Sequence, residues 1–201
     1  MIAIIDYGMG NLASVHKALT KLGITSLITS NENEIKNSSG IILPGVGSFR
    51  QGMINLENLG LIPILKDEVI HKKKPFLGIC LGMQLIFETG SEPAKCVGLG
   101  WIKGKVVPIV NEKLPVPHLG WNNIYSNSSK KDDSLQTNFY FIHSYHVEPN
   151  EPVESNWVDY EFPILASVKK NNIFATQFHP EKSQQAGLDL IESYFKPYVK
   201  S

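Results

Sequence analysis

Apolar residues in the first ninety positions of this chain fall into two alternating patterns. Met1–Asp6 is a continuous apolar run that ends at a Gly-rich turn, the pattern of a strand buried on both faces. From Asn11 onward Leu12, Val15, Leu19 and Leu22 recur at intervals of three to four, which predicts an amphipathic helix closed by Gly23. Ser26–Thr29 then reads as strand, Glu32–Lys36 as a short polar helix, and Gly40–Leu43 as a second buried strand closed by Pro44-Gly45. Met53–Leu59 and Leu61–His71 read as helical, Lys72–Pro75 interrupts them, Phe76–Ile79 is a further apolar strand running into Cys80, and Met83–Phe87 resumes a helical face. The alternation of strand and helix predicts an α/β fold, with a mainly parallel sheet and helices on both of its faces.

The second half changes character. Val106–Val110, Trp121–Tyr125, Phe139–Val147, Leu165–Val168 and Ile173–Phe178 are strand-like, with Lys170-Asn171-Asn172 as a turn, and several are expected to pair antiparallel. Gly187–Phe195 closes the pattern as an amphipathic helix with Leu188, Ile191 and Phe195 on one face. No internal repeat or linker interrupts it, and Ser126–Ser134 reads as a polar loop, so residues 1–201 are expected to form one domain.

Charge narrows the functional classes. The 19 basic and 19 acidic residues cancel, and no Lys/Arg run exceeds Lys72–Lys74, so a nucleic-acid partner has no electrostatic footprint. The N-terminal MIAIIDYG lacks a basic leader and is too short to span a membrane, which predicts a cytoplasmic protein with no membrane partner. The two cysteines, Cys80 and Cys96, are too few for a disulfide scaffold and fit no zinc-ribbon or CxxC spacing. His118, His143 and His146 share no metal-like spacing, so neither a metal nor a cofactor is expected. Trp101, Trp121 and Trp157 are simplest as core or edge aromatics.

Candidate chemistry centres on Gly78-Ile79-Cys80-Leu81-Gly82. A cysteine between a buried strand and a helix, bracketed by glycines, is a nucleophile elbow; the turn is sharp, and a Cβ on either flank would collide with neighbouring chain. A cysteine nucleophile needs a base and a group to orient it. Phe178-His179-Pro180-Glu181 supplies both, because residues two apart in an extended stretch project to one side: His179 to take the thiol proton, Glu181 to hold the imidazole. Oxyanion donors are expected from the backbone N–H of Leu81 and from Val46, set between two glycines in Pro44-Gly45-Val46-Gly47. Cys96 has no such setting and reads as a small apolar residue.

These segments, GICLGMQ, QFHPEKS, LPGVGSF, DYGMGN and PHLGWN, together resemble the class I, triad-type glutamine amidotransferases over nearly the whole chain, and among them the histidine-pathway branch. Leu119 stands where methionine is common in PHMGWN. The resemblance implies a flavodoxin-like sheet and a Cys80–His179–Glu181 triad that releases ammonia from L-glutamine for a cyclase/synthase subunit in a heterodimer. It further implies that Gly47, Gln84, Glu92 and the backbone of Ser144 and Tyr145 hold the substrate, and that Asn11, Tyr140 and Lys182 face the partner near the ammonia entrance. Similar glutaminase subunits serve synthases that amidate sugars for surface polysaccharides, which leaves a second pathway open. A rival of another class is dinucleotide binding, since Gly8-x-Gly10-x-x-Ala13 follows the first strand and Glu32 lies near the place of a ribose-binding acid. That reading leaves Cys80 and His179-Pro180-Glu181 without a use.

Overall fold

The computed structural model describes residues 1–110, 112–126 and 137–199; apart from Ser126, the expected polar loop lies outside them. The parallel half runs β1 (Ile2–Ile5), α1 (Leu12–Lys21), β2 (Ser26–Thr29), α2 (Glu32–Asn37), β3 (Gly40–Gly45), α3 (Phe49–Asn58), α4 (Leu61–Lys66), β4 (Phe76–Cys80) and α5 (Leu81–Leu85). A π-helical turn, Asp67–His71, continues α4, so the predicted Leu61–His71 is one helical segment. The rest runs β5 (Phe87–Gly90), β6 (Cys96–Val97), β7 (Ile102–Pro108), β8 (His118–Ser126), β9 (Thr137–His143), β10 (Tyr145–Pro149), β11 (Glu154–Tyr160), β12 (Phe162–Lys170), β13 (Ile173–Thr176) and α6 (Gln184–Phe195).

Among the described residues a large sheet has the order β2-β1-β3-β4-β13-β12-β11-β8-β9. Its first five strands pair parallel in the flavodoxin order, with β13 returning late in the chain to lie beside β4. The remaining pairs, β13 to β12 through β8 to β9, are antiparallel, as expected for the second half. β1, β3 and β4 are buried throughout because helices cover both faces, which is why they read as unbroken apolar runs. On one face Val15 and Leu19 of α1 meet Leu188, Ile191 and Phe195 of α6 over Ile2, Ile4 and Leu77. On the other Phe49, Leu56, Leu65 and Leu85 of α3 to α5 pack over Ala3, Ile41 and Leu43. Each such side chain contributes roughly 1.5–3 kcal/mol on burial.

The structure departs from the sequence reading in the connections. α3 starts at Phe49 rather than Met53, because the Ser48 hydroxyl caps it by accepting from Gln51 N–H at 3.3 Å. Phe87 belongs to strand β5, not to a Met83–Phe87 helix; its spacing from the buried Met83 fits either element. The expected strand Phe139–Val147 is broken at Ser144, where the chain leaves β8 in the large sheet and joins β7 in a smaller sheet of order β10-β7-β5-β6. β11 is an addition, carrying Trp157 half-buried beside a bulge at Asn156/Trp157. Trp101 packs edge-on against Phe76 at 5.1 Å, whereas Trp121 is exposed. Gly10 sits close under Gly45, where a Cβ would come within 3.1 Å of its Cα, which gives the first glycine turn a packing role independent of any dinucleotide.

Candidate active site

The parallel strands β3, β4 and β13 are neighbours, and their carboxyl ends bring three distant segments together. Gly45 pairs with Cys80 and Thr176 with Ile79, so the Val46-Gly47 loop, Cys80 and the chain leading to His179 leave the same sheet edge. Cys80 has φ 53° and ψ −105°, a left-handed conformation between β4 and α5 that few side-chain-bearing residues adopt. The flanking glycines make this turn possible. A Cβ at Gly78 would come within 2.9 Å of the Gly82 carbonyl oxygen, and one at Gly82 would overlap the carbonyl oxygen of Leu43 on β3.

His179 and Glu181 meet, though not as residues on one side of an extended strand. His179 is extended, but Pro180–Lys182 forms a 3-10 turn that brings Glu181 Oε1 to 2.8 Å from His179 Nδ1. The turn is held by Ser183, whose hydroxyl donates to His179 O at 2.6 Å and accepts from Tyr140 N–H at 3.0 Å. Gly187 on α6 lies against it, since a Cβ there would overlap the Pro180 carbonyl. With Nδ1 engaged, Nε2 of the buried ring has no hydrogen-bond partner among the described residues. Burial opposes charge on this ring, but a negative charge on the neighbouring Cys80 and the Glu181 carboxylate outweigh it and lift His179 to about 10. The thiol itself lies 3.9 Å from the Ile142 carbonyl.

A cavity of about 500 Å³ opens over Cys80. Val46, Gly47, Leu81, Gln84, Glu92, Ser144, Tyr145 and Lys182 all contribute to its wall, so every proposed substrate and oxyanion position borders one space. Gln84 Nε2 donates to Tyr145 O and to Gln177 Oε1, both at 3.1 Å. Glu92 accepts from the Phe49 N–H at 3.2 Å; burial raises its carboxyl, against the lowering effect of that hydrogen bond. Lys182 lies with its ammonium 5.9 Å from the Tyr140 ring. Asn11 is not part of the wall; it caps α1 by accepting from Ser14 N–H at 3.2 Å.

Sequence reasoning missed several groups here. Gln177 and Ser183 are buried within or beside the histidine motif, where QFHPEKS offered the signal. Tyr7 is buried against Gly45 with its hydroxyl unpartnered among the described residues, and burial and the charge of Cys80 push its phenol upward. His118 and His143 form a pair beside the cavity rather than two isolated core residues. Tyr145 O can only accept, so His143 Nδ1 donates to it at 2.9 Å; His143 Nε2 then accepts from His118 Nδ1 at 3.0 Å, and His118 Nε2 accepts from Asn122 Nδ2 at 2.9 Å. Both rings are neutral in this arrangement, and burial lowers His118 to about 4 and His143 to about 3.

A pH dependence of stability follows. In the unfolded chain each of these two histidines takes a proton near pH 6.5, but the folded chain resists it, so their contribution is full above about pH 6.5 and is lost toward pH 3–4. His179 acts oppositely, because its raised affinity stabilises the fold below about pH 6.5 and that contribution disappears as pH rises toward 10. Replacing His118→Gln is expected to flatten the fall in unfolding free energy between pH 7 and pH 4.5, read from denaturant titrations, by up to about 1.4 kcal/mol per pH unit. An unchanged acid slope would show that His118 is charged in the folded state.

A thiol and an imidazole–carboxylate pair gathered beside a cavity at the carboxyl edge of a flavodoxin-like sheet define the class, an α/β protein with a cysteine site in a pocket. The chain belongs to the class-I glutamine amidotransferases, whose family model, glutamine amidotransferase class-I, matches residues 3–196. It is 45% identical over 205 residues to "Imidazole glycerol phosphate synthase subunit HisH 1" of Campylobacter jejuni, covering 98% of this chain and 100% of that protein. It is likewise 45% identical to "Imidazole glycerol phosphate synthase subunit HisH 2" of Methanococcus maripaludis, covering 98% and 99%. Among solved structures, a glutamine amidotransferase superposes with a TM-score of 0.76 at 15% identity over 98% of both chains, and PurLQS from Thermotoga maritima with 0.72 at 14% over the same shares; at such identities these show the fold.

Proposed function

We propose that this chain, as one domain, is the glutaminase subunit of an imidazole glycerol phosphate synthase and passes ammonia from L-glutamine to a cyclase subunit in histidine biosynthesis. The observation that carries the chemistry is the buried Glu181–His179 pair facing Cys80 beneath the cavity. The pathway rests on near-full-length relatives of that name at 45% identity. Cys80 Sγ attacks the side-chain amide carbon of glutamine while its proton resides on His179, and the oxyanion takes N–H donors from Leu81 and Val46. The imidazolium then protonates the leaving nitrogen, ammonia departs, and a thioester remains. Water, deprotonated by His179, opens the thioester to give glutamate and the free thiol. Glu92 suits the substrate ammonium, with Gln84, Gly47, Ser144 and Tyr145 around the amino-acid end. A cytoplasmic setting matches this chemistry, because the nucleophile must stay reduced and neither cysteine is paired.

The sheet edge at the cavity mouth supports a partner. β8 and β9 place Leu119 opposite Ile142 and Trp121 opposite Tyr140, while His118, Phe139, Phe141 and His143 turn inward. Leu119, Trp121 and Ile142 are 58%, 41% and 38% exposed, an apolar face that borders Lys182 and the Ile142 carbonyl over Cys80. We assign this face, with Tyr140, Lys182 and Asn11, to the synthase. The chain alone is expected to turn over glutamine slowly, and rotation of the peptide between Gly45 and Val46 on docking would add one oxyanion donor, worth ~10²–10³-fold. Glutamate release should be measured for the chain alone, with the cyclase subunit, and with that subunit plus its acceptor. Equal rates in all three would refute the switch; activation by a sugar synthase alone would move the chain to the other pathway and leave its chemistry intact.

A further inference from the structure

Gln177 follows β13 directly, two residues before His179, and is fully buried. The orientation of its amide is fixed by a chain of hydrogen bonds that begins at a group with no choice. The Tyr145 carbonyl only accepts, so Gln84 must present Nε2 to it, at 3.1 Å. The same nitrogen lies 3.1 Å from Gln177 Oε1, so both N–H bonds of Gln84 are given away and Gln177 must turn its oxygen toward Gln84. Its nitrogen therefore faces Cys80, with Nε2 3.7 Å from Sγ. Reversing the Gln177 amide would set two NH₂ groups against each other, losing the bond to Gln84, and would turn toward the sulfur an oxygen that the thiolate cannot meet.

An N–H aimed at sulfur stabilises the anion more than the thiol, because the charged acceptor forms the stronger bond. We infer that Gln177 is a catalytic residue, whose side-chain amide, oriented by Gln84 and the Tyr145 carbonyl, donates to the Cys80 sulfur and stabilises its anionic form. The anion occurs twice in the proposed cycle, as the attacking thiolate and as the leaving group when water opens the thioester, so the same donor serves both half-reactions. The inference rests on Cys80 being the nucleophile of the function proposed above. The titratable groups whose charge reaches this sulfur are His179, two residues further along the same segment, and Tyr7, and the substitutions below replace neither.

The test is alkylation of Cys80 by iodoacetamide in the full-length chain carrying Cys96→Ala, followed by intact mass at pH 7 and pH 10. Gln177→Met removes the N–H at similar volume, and Gln177→Glu keeps an acceptor toward Gln84 while placing an oxygen against the sulfur. At pH 7 the Met variant is expected to react about tenfold more slowly than the parent, and the Glu variant more slowly still, with all three converging at pH 10. With the cyclase subunit present, kcat for glutamine should fall about tenfold in Gln177→Met at nearly unchanged KM. Parent-like rates at pH 7 in both variants would overturn the inference, as would equal slowing at pH 7 and pH 10, which marks lost access. Should Gln177→Met fail to fold, the isosteric Glu variant separates the same outcomes at the same two pH values. A parent protein that alkylates normally but releases no glutamate would sink the glutaminase reading, while the alkylation rates of the variants would still decide by themselves whether the Gln177 amide stabilises the Cys80 anion.

Discussion

Cys80→Ala is expected to abolish glutamate release, by about 10⁶-fold if the loss matches that of a nucleophile acting in concert with its base. No second thiol lines the cavity among the described residues, since Cys96 sits partly exposed on β6 with its sulfur near the Val97 carbonyl. Cys96→Ala should therefore leave turnover within about twofold of the parent, the range of a surface change that meets no functional group. The alanine at position 80 leaves the oxyanion loop and docking face intact, so the complex should still form its cyclase product when ammonia is supplied directly. Mass spectrometry of the parent under glutamine should find a glutamyl thioester on Cys80. A glutamyl adduct on Cys96, or a Cys80→Ala chain that still hydrolyses glutamine, would assign the chemistry elsewhere.

The parallel half of the fold was legible because strands buried on both faces must be apolar throughout, and β1, β3 and β4 are buried from end to end. The antiparallel half was less so. β11 carries Glu154, Asn156 and Asp159 on a strand with one wet side, and β5 is too short for any periodicity to speak. The break at Ser144 could not be read, since it marks a change of sheet and Tyr140–Val147 offers no Gly or Pro. At the site, glycines around Cys80 announced the elbow because close packing against Leu43 permits nothing larger. QFHPEKS marked the position of Gln177 but not its contact with Cys80, and the neutral His118–His143 pair and the buried Tyr7 hydroxyl were invisible, since what defines all three is a partner, or the lack of one among the described residues, brought close only by folding.

His179→Ala should lower kcat for glutamine by ~10²–10⁴-fold or more with the cyclase subunit present, and Glu181→Gln by less, with KM little altered in either. The ranking follows from what each group touches. His179 carries the proton between the sulfur and the leaving nitrogen, and two other bases on the cavity wall are already engaged, Glu92 by the Phe49 N–H and His143 by His118 and the Tyr145 carbonyl. Glu181 acts only through the ring: its Oε1 fixes which imidazole nitrogen bears hydrogen, and its charge helps to hold His179 protonated. Glutamine at that position can still accept from Nδ1, so orientation survives in part, while the charge is gone and the proton is held less firmly. The pH profile separates the two effects. Loss of Glu181's charge should move the alkaline limb of turnover to lower pH, because the His179 proton, held to about 10 in the parent, leaves sooner. A Glu181→Gln variant slower than His179→Ala, or one whose alkaline limb stays where it was, would mean that the carboxylate serves the active site by some route other than the imidazole.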